Sequence, residues 1–193
     1  MKKILQQENA AYFKLPTFEE IPDVGLYLEQ TATFINKYLE PLLGSELTPS
    51  MISNYVKKKM IARPEKKQYS REQIAYLFFI TISKTVLALD DLKLLVKVQR
   101  ETYPIQTAYT YFREELEQTL LAVFEEQALS FETGERSEQK VMLYNIIIAV
   151  AHKIYLEKYF QLVRQRNSGG INVSGAKHTQ KFWLPKSLPR SIL

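Results

Sequence analysis

Apolar residues recur at helical spacing along most of this chain, and that pattern limits its fold more than any other feature. Residues three or four apart share one face of a helix, so each stripe predicts an amphipathic helix with its apolar side toward a core. Period-two alternation, which marks strands, is nearly absent. The sequence therefore predicts an all-α protein. The two clearest stripes are Leu28, Thr31, Ile35, Tyr38 and Leu42, and Ile105, Tyr109, Phe112, Leu116, Leu120 and Val123.

Capping residues predict where the first two helices begin and end. Asp23 or Thr17 is the expected N-cap of the first helix, which ends at Gly44, a residue suited to the left-handed position after a helix. Thr48-Pro49 combines an N-cap with proline in the first turn, so a second helix begins there and runs to about Lys59.

Two further helices are predicted in the middle of the chain. Ser70 and Gln73 form a capping box that opens a third helix, expected to continue through Val86. Asp90-Asp91 opens a short fourth one, in which the side chains expected to face inward are Leu92, Leu95 and Val96.

The second half of the chain is predicted to hold two long helices. The first follows Pro104, and its carboxylates Glu114, Glu115, Glu117, Glu125 and Glu126 are expected to be solvated. A turn is predicted at Glu132–Glu135. The last helix runs from Ser137 to about Arg166 and is apolar almost all round at first, so it should be central. Residues 167–193 lack a sustained period and form an expected flexible basic tail.

Two of the residue types that catalytic and metal sites use most often are absent or scarce. Cysteine is absent, which excludes disulfides, thiol nucleophiles and thiolate zinc sites. His152 and His178 are the two histidines, and His152 has no carboxylate or second histidine at ligand spacing. No Walker loop, dinucleotide fingerprint or nucleophile elbow is present. We therefore expect no enzyme, no cofactor and no metal.

No targeting or membrane segment is predicted. Lys2-Lys3 is followed by Gln6-Gln7-Glu8 rather than by the apolar stretch of a signal peptide. The longest apolar run, Val141 to Ala151, is too short for a bilayer, which needs about 17–25 helical residues. A cytoplasmic protein without membrane insertion is expected.

Charge and polarity single out the second predicted helix. Ile52, Tyr55, Val56 and the stem of Lys59 fall on one face, which should pack inward. The opposite face carries only hydrogen-bonding and cationic side chains, with no carboxylate. It continues into residues 57–71, whose net charge is +6 in a chain of net +5.

That polar face suits duplex DNA. Asparagine can pair with adenine in the major groove, and lysines and arginines meet phosphates. The leading hypothesis is a DNA-binding transcriptional regulator; the alternative is a non-enzymatic protein-interaction module that uses its apolar helices or the tail residues Phe182–Leu184. The candidate DNA-binding residues are Ser50, Ser53, Asn54, Lys57, Lys58, Arg63, Lys66 and Lys67.

The same region resembles the MerR-type winged helix-turn-helix. The resemblance lies in Leu47 to Ile61, in Tyr69 to Ile74 with Leu77 to Ile80, and in the Asp90-Asp91-Leu92 turn. It implies a Ser/Thr-capped recognition helix followed by a basic wing. It also implies duplex DNA as partner, with a homodimer or a protein partner as further expectations.

More closely, the chain resembles the bacterial domain-of-unknown-function family eighteen thirty-six. Leu26 to Gln30 together with Met51 to Lys57 carry this resemblance. Two departures from the MerR pattern bear on the structure. Lys59 stands where a glycine is expected, so the helix should end differently. The connection between Met60 and Tyr69 is short and has no glycine from Ala62 to Gln68, so it is expected to be either a short turn or reduced wing, or a bare loop.

The predicted architecture is a MerR-like helix-turn-helix N-terminal lobe with a short or reduced wing, packed on a C-terminal helical lobe. The boundaries are an N-terminal extension at 1–16, the helix-turn-helix lobe at 17–100, the helical lobe at 101–166 and the tail at 167–193.

Overall fold

The computed structural model of the protein describes residues 10–129 and 137–168, and within these ranges it is mainly helical, as predicted. A short antiparallel sheet joins two distant segments, β1 (Leu26–Tyr27) and β2 (Gln68–Tyr69). The helices of the described ranges are α1 (Leu28–Leu43), α2 (Pro49–Lys57), α3 (Arg71–Ser83), α4 (Leu89–Thr102), α5 (Ile105–Phe124) and α6 (Glu138–Ser168).

The start of α1 differs from the prediction. Its N-cap is Tyr27, whose main-chain N–H donates to Oε1 of Gln30 at 2.9 Å, so neither Asp23 nor Thr17 caps this helix. Thr17 closes an earlier turn instead. There its hydroxyl accepts from the N–H of Glu20 at 3.3 Å, and its own N–H donates to the Glu20 carboxylate at 2.7 Å.

The capping residues predicted at Gly44, Thr48 and Ser70 are confirmed. Gly44 follows α1 with a φ of 62°, in the left-handed region. The hydroxyl of Thr48 accepts from the N–H of Met51 at 3.2 Å at the start of α2. Ser70 and Gln73 form the reciprocal capping box of α3, in which the N–H of Ser70 donates to Oε1 of Gln73 at 2.9 Å.

The middle helices differ from the prediction in length. α3 ends at Ser83 rather than at Val86, because turn hydrogen bonds take over from Lys84 onward. α4 begins at Leu89, before Asp90-Asp91, and continues to Thr102, so it is not short. Its predicted inward side chains, Leu92, Leu95 and Val96, are all buried.

α3 lies at the centre of the core. Ile74, Leu77, Phe78 and Ile80 are fully buried, and so is almost every other side chain of its second half. The ring of Phe78 contacts Tyr109 of α5 at a centroid distance of 6.1 Å and also meets two rings of α1. The predicted stripe of α5 packs here, with all its members buried except the partly buried Ile105 and Val123.

α6 is not the central helix that its composition predicts. Ile147, Val150 and Ile154 are buried on the side that packs against α5 and α3. Leu156 and Phe160, by contrast, are 51% and 49% exposed. α6 therefore packs by one face, and its apolar first half is also exposed on the other side, at Val141 and Met142.

The segment before α1 belongs to the core and is held there by a buried carboxylate. Glu117 of α5 is only 7% exposed, so the expectation that it is solvated was wrong. Its carboxylate accepts from Lys14 Nζ at 2.7 Å and from the main-chain N–H of Leu15 at 3.0 Å, and Arg113 lies 3.4 Å away. These bonds attach the N-terminal segment to α5, where Leu15 is buried.

Two predictions fall outside the described residues: the turn at Glu132–Glu135, and the tail with Phe182–Leu184. No helix within residues 10–129 and 137–168 combines the length and apolar character needed to cross a bilayer.

Candidate nucleic-acid interface

α1 and α2 are joined by a connection that one side chain holds in place. Asn36 of α1 bonds both main-chain groups of Leu47: its Nδ2 donates to the Leu47 carbonyl at 3.0 Å, and its Oδ1 accepts from the Leu47 N–H at 2.8 Å. Because Leu47 is 1% exposed, water cannot replace these bonds. Asn36 therefore fixes where α2 begins relative to α1.

α2 separates into a buried and an exposed face, as its sequence predicts. Ile52 and Tyr55 are buried and Val56 is partly buried. Burial raises the pKa of the Tyr55 hydroxyl to about 12, since the anion would lose its hydration. Of the candidate residues on the opposite face, Ser53 is half-buried, and the exposed ones are Ser50, Asn54, Lys57 and Lys58.

The C-terminal end of α2 has the geometry usually made with glycine. The N–H of Met60 donates to the Tyr55 carbonyl at 3.0 Å, and the N–H of Lys59 donates to the Val56 carbonyl at 3.0 Å. This is the Schellman pattern, with Lys59 at φ 58° in the left-handed position. The expectation that lysine here changes the helix end was wrong, because burial of Met60 drives the same reversal. Lys59 is exposed, including the stem that was expected to pack inward.

The connection from α2 to α3 contains a tight turn joined to the sheet, so of the two expectations the short turn is confirmed and the bare loop is wrong. The N–H of Gln68 donates to the Glu65 carbonyl at 2.7 Å, with Lys66 and Lys67 at φ 46° and 66° between them. Positive φ at both central positions is the type I′ arrangement of tight hairpins. The chain then pairs with β1, where a Cβ on Gly25 would lie 2.6 Å from the Gln68 Cβ. This close approach requires glycine.

Beside the end of α2 lies a cationic depression of about 340 Å3. Its charged lining residues are Lys57, Lys59, Arg63 and Arg100, and no carboxylate of the described residues lines it. Arg100 reaches it from α4: its Nη2 donates to the Met60 carbonyl at 2.8 Å, and its guanidinium lies 4.9 Å from the centroid of the Tyr76 ring. Four cations without a carboxylate create a local positive potential that favours phosphate or another anion.

The structure brings some of the predicted residues together and leaves others apart. Lys57 and Arg63 meet at the cationic depression, together with Lys59 and Arg100, which sequence reasoning missed. Lys66 and Lys67 occupy the turn before β2, and both are exposed. The polar candidate residues lie on the same helix as Lys57; they are Ser50, Ser53 and Asn54 of α2. Lys59 was missed because its side chain was expected to pack inward, whereas it is exposed. Arg100 was missed because nothing in the sequence near it indicates that it lies beside α2.

No candidate metal centre accompanies this surface in the part of the chain that the structure describes. Within residues 10–129 and 137–168, no three His, Cys, Asp or Glu side chains form a group that could hold a metal ion. The surface offers polar side chains on α2 and positive charge beside them.

These features define a mainly helical protein with an exposed, acid-free helix face next to a cationic depression. The family model described as Domain of unknown function (DUF1836) matches residues 16–112, about half of the chain, and the chain belongs to this family. The match confirms the closer of the two sequence resemblances, and it contains α1 to α4 with the whole cationic depression. No curated protein and no solved structure gives a significant match.

Proposed function

We propose that this protein is a DNA-binding transcriptional regulator that contacts duplex DNA through the exposed face of α2. The observation that carries the proposal is the cationic depression at the end of that face, which among the described residues is lined by four cations and no carboxylate. In this proposal, α1 and α2 form a MerR-like helix-turn-helix. The turn at Glu65–Gln68, with its pairing to β1, serves as a reduced wing.

The two ends of α2 carry different parts of the proposed interaction. Ser50 lies exposed in the first turn of α2, and Asn54 lies exposed one turn further along; in this proposal these two side chains reach base edges. Asn54 can make two hydrogen bonds to adenine in the major groove. Lys57, Lys58 and the cations of the depression lie at the other end, where they would neutralise phosphates of the same duplex.

Fluorescence anisotropy tests the proposal directly. Two labelled duplexes of equal length are compared at about 50 and 200 mM salt, one from the DNA upstream of the protein's own gene and one with that sequence shuffled. We expect the upstream duplex to bind more tightly and both affinities to fall steeply with salt. Equal weak binding of both duplexes would contradict the regulatory role.

Asn54→Ala separates base reading from phosphate contact. We expect it to reduce the preference for the specific duplex by about 1–3 kcal/mol while leaving the salt slope unchanged. Thr33→Ala, on an exposed position of α1, is the matched surface control and should retain the preference. An unchanged preference in Asn54→Ala would remove this residue from the proposed base contacts.

A second candidate function is a protein-interaction module, and one observation favours it. Leu156 and Phe160 are both about half exposed and lie four residues apart, so they share one face of α6. A regulator that binds two half-sites needs a dimer surface as well. Sedimentation of the wild type and of Leu156→Ser/Phe160→Ser tests whether this face of α6 forms a dimer. A lower molecular mass of the variant would assign the face to self-association.

A further inference from the structure

We infer that Lys84, the residue that follows α3, contacts a phosphate of the DNA backbone at the end of α2 opposite to the cationic depression. This inference rests on the proposed function, because it extends the same interface. Nζ of Lys84 lies 3.8 Å from Sδ of Met51, in the first turn of α2. Val56 and Lys57, which line the depression, lie at the other end of this helix.

The ammonium group of Lys84 lies beside the face of α2 that is proposed to read bases. Residues three apart are neighbours on the surface of a helix, so Met51 adjoins Asn54. Asn54 is exposed, whereas Met51 and Lys84 are half-buried. A phosphate that meets Lys84 therefore belongs to the duplex whose base edge Asn54 contacts in the proposed interface.

Lys84 has no counter-ion in the part of the chain that the structure describes. The ion pairs of the described residues join other side chains, and the atom that Nζ contacts is a thioether sulfur, which is only a weak acceptor. Burial lowers the pKa of this ammonium, because the charged form loses hydration without gaining an anion. A half-buried cation of this kind favours an anion from outside the chain, and a phosphate supplies one.

The turn after α3 holds the main chain of Lys84 in place. Its N–H donates to the Ile80 carbonyl at 2.9 Å, and the three N–H groups that follow donate to carbonyls at the end of α3. The hydroxyl of Thr85 also donates to the Ile82 carbonyl at 2.7 Å. With the main chain fixed, only the side chain of Lys84 has to be ordered when a phosphate binds, which lowers the entropic cost of the contact.

The length of α2 suits phosphate contacts at both of its ends. Nine residues give a helix about 13 Å long, close to the width of the major groove, which is about 12 Å. Cations at the two ends can therefore meet phosphates of the two strands that border the groove. In this arrangement Lys84 contacts one strand, and Lys57 and Arg100 of the depression contact the other.

Salt slopes of duplex affinity test the assignment on the full chain. Lys84→Met removes the charge and keeps a side chain of similar length. We expect it to lower the slope by about one and to weaken the upstream and the shuffled duplex alike, about 3-fold more strongly at about 50 than at about 200 mM salt. Lys84→Arg keeps the charge and should retain the slope. Lys153→Met, at an equally half-buried position of α6, is the matched control and should leave both affinities nearly unchanged.

Thermal unfolding separates this role from a structural one. Because Lys84→Met removes a charge that is poorly hydrated in the folded state, its melting temperature should equal or exceed that of the wild type. A lower melting temperature together with weaker DNA binding would assign Lys84 to the fold and overturn the inference. A wild-type slope in Lys84→Met, or a slope that Lys84→Arg fails to retain, would overturn it as well.

A further measurement separates DNA phosphate from free phosphate. Inorganic phosphate, added at constant ionic strength, should change the melting temperatures of the wild type and of Lys84→Met equally. A rise confined to the wild type would assign Lys84 to a free anion instead. If the wild type binds no duplex, the proposed function fails and the inference with it; a steep wild-type slope that Lys84→Met retains overturns the inference alone.

Discussion

Asn36 shows how one side chain determines the relation between two helices. Its amide bonds both the N–H and the carbonyl of Leu47, an interaction across 11 positions that no capping rule or periodicity indicates. Glu117 has a similar role between α5 and the N-terminal segment. Both residues look like ordinary surface polar groups in the sequence. Their burial follows from which segments pack together, which local pattern cannot reveal.

Replacing Asn36 should therefore cost more than a typical polar surface substitution. Asn36→Ala leaves both main-chain groups of buried Leu47 without partners, and we expect the free energy of unfolding to fall by about 1–3 kcal/mol. Urea denaturation measures the change. Asn145→Ala is the matched control, because Asn145 is exposed and its amide bonds only a carbonyl within α6. Equal losses in the two variants would contradict the role assigned to Asn36.

Tyr55 makes stability depend on pH at the alkaline end. Because burial raises its pKa to about 12 in the folded state, from about 10 in the unfolded chain, the unfolded state releases its proton first as pH rises. Stability is thus intact below about pH 10 and falls between about 10 and 12, by up to about 1.4 kcal/mol per pH unit for one group.

Tyr55→Phe removes that contribution. Urea unfolding at about pH 8, 9, 10.5 and 11.5 should give a shallower alkaline decline for the variant, with a constant difference from the wild type at the two lower values. Parallel curves over the whole range would show that Tyr55 does not titrate in this way.

At the scale of secondary structure, three caps were predicted correctly, whereas the N-cap of α1 and the two reversals after α2 were not. Gly44, Thr48 and Ser70 act through neighbours within three residues or so, so their roles are visible in the sequence. Lys59 and the Lys66-Lys67 turn adopt positive φ although neither contains glycine. They do so because Met60 is buried and because β2 pairs with β1, a strand about 40 positions earlier.

Because Lys59 has a left-handed conformation, its replacement by glycine is expected to stabilise the fold, whereas glycine usually destabilises a helix. Lys59→Gly should raise the free energy of unfolding by about 1 kcal/mol, since the strain of a side chain at φ 58° is removed. Lys58→Gly, one position earlier at φ −78°, should lower it by about 0.5–1 kcal/mol through lost backbone entropy. Thermal unfolding of the pair measures both changes, and changes of the same sign would contradict the helix end described above.

For the whole molecule, sequence reasoning reached the helical class, most of the core and seven exposed candidate residues, while the eighth, Ser53, is half-buried. Arg100 is a residue of the candidate site that sequence reasoning did not find. This residue is 40 positions from Met60 and yet completes the cationic depression beside it. Such a surface depends on how α4 packs near α2, and the spacing of either helix alone carries no information about that.

The central claim is that the end of α2 lies against DNA phosphates, and one measurement tests it most directly. Salt slopes of duplex affinity are compared for the wild type, Lys57→Ala/Lys58→Ala, and Lys93→Ala/Lys153→Ala, which removes two positive charges from α4 and α6 instead. We expect the first variant to weaken binding to every duplex and to lower the slope by about two, with little change in the second. Equal slopes for the two variants would contradict the claim.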